Sequence, residues 1–167
     1  NRNPLDFCRQ GAFSTEEDFR MMRGEPFDRN PYISDGDLLS PNGQVCARNR
    51  DLLSRFDVSI DLGLDAVHII RFQEGDQPAI IAFSTELDSP FGTFSAGDLL
   101  FTNGAVIPNA ALTVMFPIRN NIGLDGLQFI GKDENVIEFA QKIEGVPADQ
   151  WLDPPDQIVQ LLRDLDI

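Results

Sequence analysis

The sequence predicts a mainly β fold made of an internally duplicated unit of about 60 residues, finished by a C-terminal amphipathic helix. Three observations carry that prediction. The chain repeats itself in order. Short runs rich in β-branched and aromatic residues are separated by turn signals. Each copy also places an Asn-Gly pair where a hairpin must turn.

The duplication is explicit. Ala12-Phe13-Ser14-Thr15-Glu16-Glu17-Asp18 matches Ala82-Phe83-Ser84-Thr85-Glu86-Leu87-Asp88 at an offset of 70. Ile33–Leu39 then matches Phe94–Leu100, and Asn42–Val45 matches Asn103–Val106, both at an offset of 61. Gly63-Leu64-Asp65 and Gly123-Leu124-Asp125 close the unit at 60. Repeat one is thus 12–70 and repeat two 82–130, within a single domain spanning 1–167. The fall from 70 to 61 places a nine-residue insertion within Phe19–Tyr32 of the first copy, against the short Ser89–Thr93 of the second. Val136–Gln141 and Val146–Leu152 read as a third, partial start over 136–152.

Taken in order, Asn1–Gly11 is a lead-in and Ala12–Glu16 a short strand. The insertion Phe19–Tyr32 is a surface loop. Asp37–Leu39, Asn42-Gly43 and Gln44–Cys46 form a hairpin, because both turn residues tolerate positive φ. Asn103-Gly104 repeats it. Leu52–Val58 and Leu112–Ile118 are a short strand or a turn of helix, which pattern alone leaves open. Ala66–Phe72 is a strand that turns through Gln73–Gln77 into the strand Ala79–Leu87. Leu127–Ile130 and Val136–Ala140 are read as the same junction again. Propensity favours a helix at Val136–Ile143, but the register with copy two favours a strand, and the strand is the expectation. Asp153 caps a helix over 154–166, with Pro154 in its first turn and Ile158, Leu161, Leu162 and Leu165 as its apolar stripe. Such units suit a pseudo-twofold barrel or sandwich. Two and a fraction units are too few for a propeller ring of about 4–8 blades, unless the chain oligomerises.

The formal charge is −14, and residues 133–167 carry half of it. Such a balance repels phosphate backbones and anionic membranes, which excludes nucleic acid as the expected partner. No apolar run is long enough to span a bilayer. Cys8 and Cys46 are a candidate disulfide pair in an exported protein and two buried thiols in a cytosolic one; the former is the expectation.

The unit resembles repeats of exported bacterial proteins of uncharacterised function. The residues that carry the resemblance are Phe83-Ser84-Thr85-Glu86, Gly97-Asp98-Leu99-Leu100 and Gly123-Leu124-Asp125, with their counterparts in copy one. It implies an extracytoplasmic β-repeat protein, secreted, periplasmic or on the cell surface, and no particular activity. The third start departs from it, with Phe139-Ala140-Gln141-Lys142 and Asp149-Gln150-Trp151-Leu152.

Three chemistries compete. Calcium takes about 6–8 oxygen ligands from turn carboxylates and carbonyls. Glu16, Asp18, Asp37 and Asp65, or Glu86, Asp88, Asp98 and Asp125, would supply them. Yet no recognised calcium loop occurs, and an Asp after Gly is commonly a turn residue holding backbone amides. A carboxylate-based, glycosidase-like hydrolase needs two facing acids at a set separation. No nucleophile motif occurs, and the single histidine, His68, lies mid-strand. A non-catalytic binding module for a protein or carbohydrate is the favoured class, with Arg20, Met21, Met22, Arg23 and Arg29 of the insertion as its best partner surface. Tyr32 and Trp151 are further stacking candidates.

Overall fold

The computed structural model describes residues 3–113, 116 and 120–151. Both hairpins form where Asn-Gly places them. In the first unit β3 (Leu38–Leu39) pairs with β4 (Val45–Ala47); in the second β7 (Leu99–Phe101) pairs with β8 (Val106–Ile107). Leu39 lies opposite Val45 and Leu100 opposite Val106, so the registers superimpose. Phe13 bridges to Leu39 as Phe83 pairs with Leu100. The offset drift from 61 to 60 is also structural: a bulge puts one extra residue into β4, between the partners of Leu38 and Leu39.

Strand β5 (Ala66–Arg71) turns into β6 (Ile80–Ser84), and the second unit becomes a four-stranded antiparallel sheet in the order β5-β6-β7-β8. Each hairpin leads into one turn of helix, α1 (Asn49–Leu52) and α2 (Asn109–Leu112). The open alternative for Leu52–Val58 thus resolves to helix, with a 3₁₀ turn at Ser54–Phe56.

Several expectations are corrected. The described residues hold comparable amounts of helix and strand, the sheets stay open, and no barrel or propeller closes, so β structure is present in short sheets but does not clearly dominate. Val136–Ile143 is not a strand: Asp133–Lys142 is helix α3. Local propensity wins there because Val136, Phe139, Ala140 and Ile143 recur at helical spacing and bury one face. The segment 136–152 is therefore not a third β start. Leu127–Ile130 forms no strand. Ala12–Glu16 is reduced to the Phe13 bridge. The insertion is not all loop: β1 (Phe19–Arg20) and β2 (Tyr32–Ile33) form a small arm. The helix expected over 154–166 lies outside the described residues.

The core divides into three layers with a translational logic. Residues at equivalent positions fall in consecutive layers. Phe83, Phe94, Leu100 and Val106 of unit two pack against Leu38, Cys46, Leu52 and Leu64 of unit one in the central layer. The counterparts of the first set, Ile33, Leu39 and Val45, form a smaller layer under Met21 of the arm. Counterparts of the second set, Leu99 and Ile107, with Leu124 packed alongside, meet α3 in the last layer. The units therefore stack front to back, as repeats in a solenoid do. The arm covers one end and α3 the other. Cys8, on the 3₁₀ turn Pro4–Gln10, is bonded to Cys46 of β4, with Cα atoms 6.0 Å apart.

Candidate functional site

The duplicated polar residues build the same knot twice. Asp37 accepts hydrogen bonds from the Ser34 N–H through Oδ2 and the Asn49 N–H through Oδ1, each at 3.1 Å. Asp98 accepts from Ser95 and Asn109 at 2.8 Å. Asn49 Nδ2 donates to the carbonyls of Gly36 and Gly63, while its Oδ1 accepts from the Leu62 N–H. Asn109 does the same for Gly97, Gly123 and Ile122. Ser14 and Ser84 hydroxyls donate to the carbonyls of Leu64 and Leu124. Asp18 and Asp88 cap the N–H groups of Asp35 and Ala96. A Cβ at Gly36 would run into the Asn49 amide and the Asp61 carboxylate, so any side chain there forces the clamp to shift. The sequence signature is thus a set of backbone clamps that hold each hairpin to its closing segment.

This settles where the eight candidate metal ligands stand. Asp37 and Asp98 are buried, with both oxygens accepting backbone N–H groups. Asp18 and Asp88 serve as turn caps. Glu16, Asp65, Glu86 and Asp125 remain, and they fall in one acidic neighbourhood between the units. The Glu86 side chain lies across Gly63. Partial burial raises the Glu86 carboxyl, and the charges of Asp35, Asp65, Glu16 and Asp61 raise it further. Asp65 is raised by burial, Asp125 and Glu16, and Asp35 by burial, Asp61 and Asp18. Among the described residues, no group of three or more His, Cys, Asp or Glu is arranged to hold a metal ion.

The arm makes the first unit different from the second. Position 48 is arginine where the second unit has Pro108, and the buried Arg48 fastens the arm down. Its Nη1 reaches Asp37 Oδ2 at 2.6 Å and the Tyr32 carbonyl at 2.5 Å. Nε and Nη2 hold Asp28 at 2.7 and 3.0 Å, and Nη2 also donates to the Asn30 carbonyl. Burial pushes the Asp28 carboxyl up, but the bonds and charge of Arg48, with the Asn30 N–H, hold it below the usual range. Sequence reasoning missed Arg48, although an arginine standing opposite Pro108 of the second copy was a visible signal.

The arm bounds an open cleft of about 500 Å³, lined by Asp18, Arg20, Tyr32, Arg48, Arg50 and Asp61 among others. The Arg20 guanidinium lies 5.2 Å over the Tyr32 ring, its cross-strand partner. Beside it is an apolar pocket of about 140 Å³ walled by Phe13, Phe19, Met21, Ile33, Leu39 and Val45. Met22 is 98% exposed and Tyr32 61%, while Phe19 and Phe27 are also open to solvent. Of the predicted partner residues, Arg20, Met22, Arg23 and Arg29 are exposed and Met21 is half-buried as part of the cap. Trp151 is in the core beneath α3 and is not a stacking platform. His68 pairs with Ala82 in the sheet and lies 5.4 Å from the Phe129 ring; burial lowers its pKa against the pull of Asp133. No helix among the described residues is long and apolar enough to cross a membrane. Comparisons with protein-family models, with curated proteins and with solved structures return no match.

Proposed function

We propose that this chain is a non-catalytic recognition module that engages a protein partner through the arm-bearing face of its first unit. The single observation that carries the reading is the exposure of Phe19, Met22, Phe27 and Tyr32 with Arg20 along one short segment, the arm, whose Phe19 and Met21 also wall the apolar pocket beside Phe13. Aromatic residues, Met and Arg are the side chains enriched at interface cores, and exposed apolar groups gathered in one patch are uncommon on a surface without a partner. The polar half of the site is preorganised, because Arg48 fixes the arm through buried charge-assisted bonds. The Cys8–Cys46 disulfide supports an extracytoplasmic setting. The hydrolase reading has less behind it. The carboxyls raised by burial and by their neighbours, Asp35, Asp65 and Glu86, are not among those lining the cleft at the arm.

The test is selection of displayed random peptides on the full chain, counter-selected on the Arg20→Ser, Met22→Ser, Tyr32→Ser triple variant after its melting has been matched to the parent. Enriched sequences that bind the parent and not the variant support the reading. No enrichment, or equal binding to both, overturns it. Competition by a soluble glycan would move the ligand class from protein to carbohydrate.

A further inference from the structure

We propose that the first unit takes its partner by strand addition: an extended segment with apolar residues at i and i+2 and a basic residue before them pairs antiparallel with Ala12–Ser14. The proposal rests on the recognition reading above and specifies its mode. The duplication supplies the filled form of the site for comparison. In the second unit, Phe83 has a strand on each side, Leu100 of β7 and Val67 of β5. In the first unit, Phe13 has Leu39 alone among the described residues. Both its N–H and its carbonyl are bonded to Leu39, at 3.0 and 2.8 Å. The main-chain groups of Ala12 and Ser14 correspond to those of Ala82 and Ser84, which pair with His68 and Ala66 of β5. Among the described residues they have no hydrogen-bond partner. An open edge of this kind is a template for another strand.

The side chains specify what that strand carries. Phe83 is fully buried, with Val67 and Ile69 packed on the same layer, whereas Phe13 is 44% exposed. The apolar pocket beside Phe13 measures about 140 Å³, close to the roughly 150 Å³ that accepts a benzene ring. One aliphatic or aromatic side chain fills it. The residue preceding β5 is Asp65, which meets the charges of Glu16 and Asp125. The equivalent residue of an added strand would stand beside Thr15 and Glu16, where Glu86 and Asp65 also act. Charge complementarity therefore selects lysine or arginine at that place. A second copy of the chain is the poorer occupant, because its own β5 is already paired along β6.

The experiment is fluorescence anisotropy of the full chain with a labelled peptide, Lys-Ala-Val-His-Ile-Ile-Arg, which is β5 preceded by lysine in place of Asp65. Saturable binding is expected at about 100 μM or tighter. N-methylation of the amides that face the edge should weaken it by about tenfold or more, because those main-chain bonds carry the pairing. N-methylation of the alternate amides should leave it within about threefold. Phe13→Ala should weaken binding by a similar tenfold without touching the backbone. Absence of binding at about 1 mM, or equal loss from both methylated sets, overturns the proposal. Self-association that Phe13→Ala abolishes and the peptide fails to displace would assign the edge to a second copy and also overturn it. If display-selected peptides lose affinity on the triple variant yet ignore N-methylation, recognition stands and strand addition falls.

Discussion

Asn49→Ala is the substitution that asks most of the clamp. Asn49 is 1% exposed and holds three backbone groups: the carbonyls of Gly36 at 3.2 Å and Gly63 at 3.1 Å, and the N–H of Leu62 at 3.1 Å. Alanine removes all three partners and opens a small void that water can fill only in part. An orphaned buried polar group costs about 1–3 kcal/mol, so partial rehydration leaves an expected loss of about 3–5 kcal/mol. For a domain of this size, about 2–4 °C accompanies each kcal/mol, giving a fall in Tm of about 6–20 °C. The assay is denaturant unfolding followed by fluorescence and circular dichroism, with Asn109→Ala as internal comparison. Asn109 makes the same contacts, but its bond to Ile122 is stretched to 3.4 Å, so its loss should be smaller. Asn49→Asp keeps the shape, loses both donors and should cost nearly as much. A loss below about 1 kcal/mol for Asn49→Ala, or a larger loss at Asn109, would refute the clamp.

Arg48→Ala should release the arm and speed trypsin cleavage at Arg23 and Arg29 at least tenfold, because Asp28, Asp37 and two carbonyls lose their shared donor; unchanged cleavage would show that the arm holds itself. Reducing Cys8–Cys46 opens a span of 38 residues and should cost about 4 kcal/mol at most, read as a lower denaturation midpoint with dithiothreitol. The raised carboxyls of Glu86, Asp65 and Asp35 bind more protons folded than unfolded. Their penalty is therefore full above the folded pKa values and disappears below the ordinary ones of 3.8 for the aspartates and 4.5 for Glu86, so these three groups should stabilise the fold progressively as pH falls toward that range. Glu86→Gln should raise Tm at pH 7 and flatten that gain. Asp28 has the opposite sign: its lowered pKa gives stability that is present above the ordinary value of 3.8 and lost as pH drops through the folded one. Calcium added at constant ionic strength, and its later chelation, should both leave Tm unchanged; a calcium-specific rise that chelation reverses and Glu86→Gln abolishes would show that the acids between the units gather an ion.

The duplication was legible because backbone clamps need particular side chains at particular places. Ser14 and Asp37 cannot drift without orphaning main-chain groups, so their positions survive in both copies as Ser84 and Asp98; Asn49 and Asn109, which hold the other half of each clamp, lie outside the matched segments and were missed. The hairpins were legible through Asn-Gly. The acids were misleading, since an aspartate that caps amides and one that binds cations look alike in sequence. Helix α3 was misread because the repeat register was extended past the point where the apolar spacing had changed from two to three and four. The packing of one unit on the next was invisible, because no single residue encodes a contact between layers. The arm and Arg48 were half-legible: the insertion declared itself, but its fastening depended on a residue well beyond its end, in the segment after the hairpin.

The front-to-back arrangement of the layers has a consequence for how such a chain changes length. A twofold pairing of like faces would be complete at two members, and adding a third would need a new kind of contact. Translation leaves the same two unlike faces at the ends whatever the number of members. An extra copy inserted between Arg71 and Ala79 would meet surfaces already shaped to receive it, and the central layer would be written again instead of invented. Lengthening by gene duplication is then nearly free of redesign, and the arm and α3 are the two pieces that must stay single.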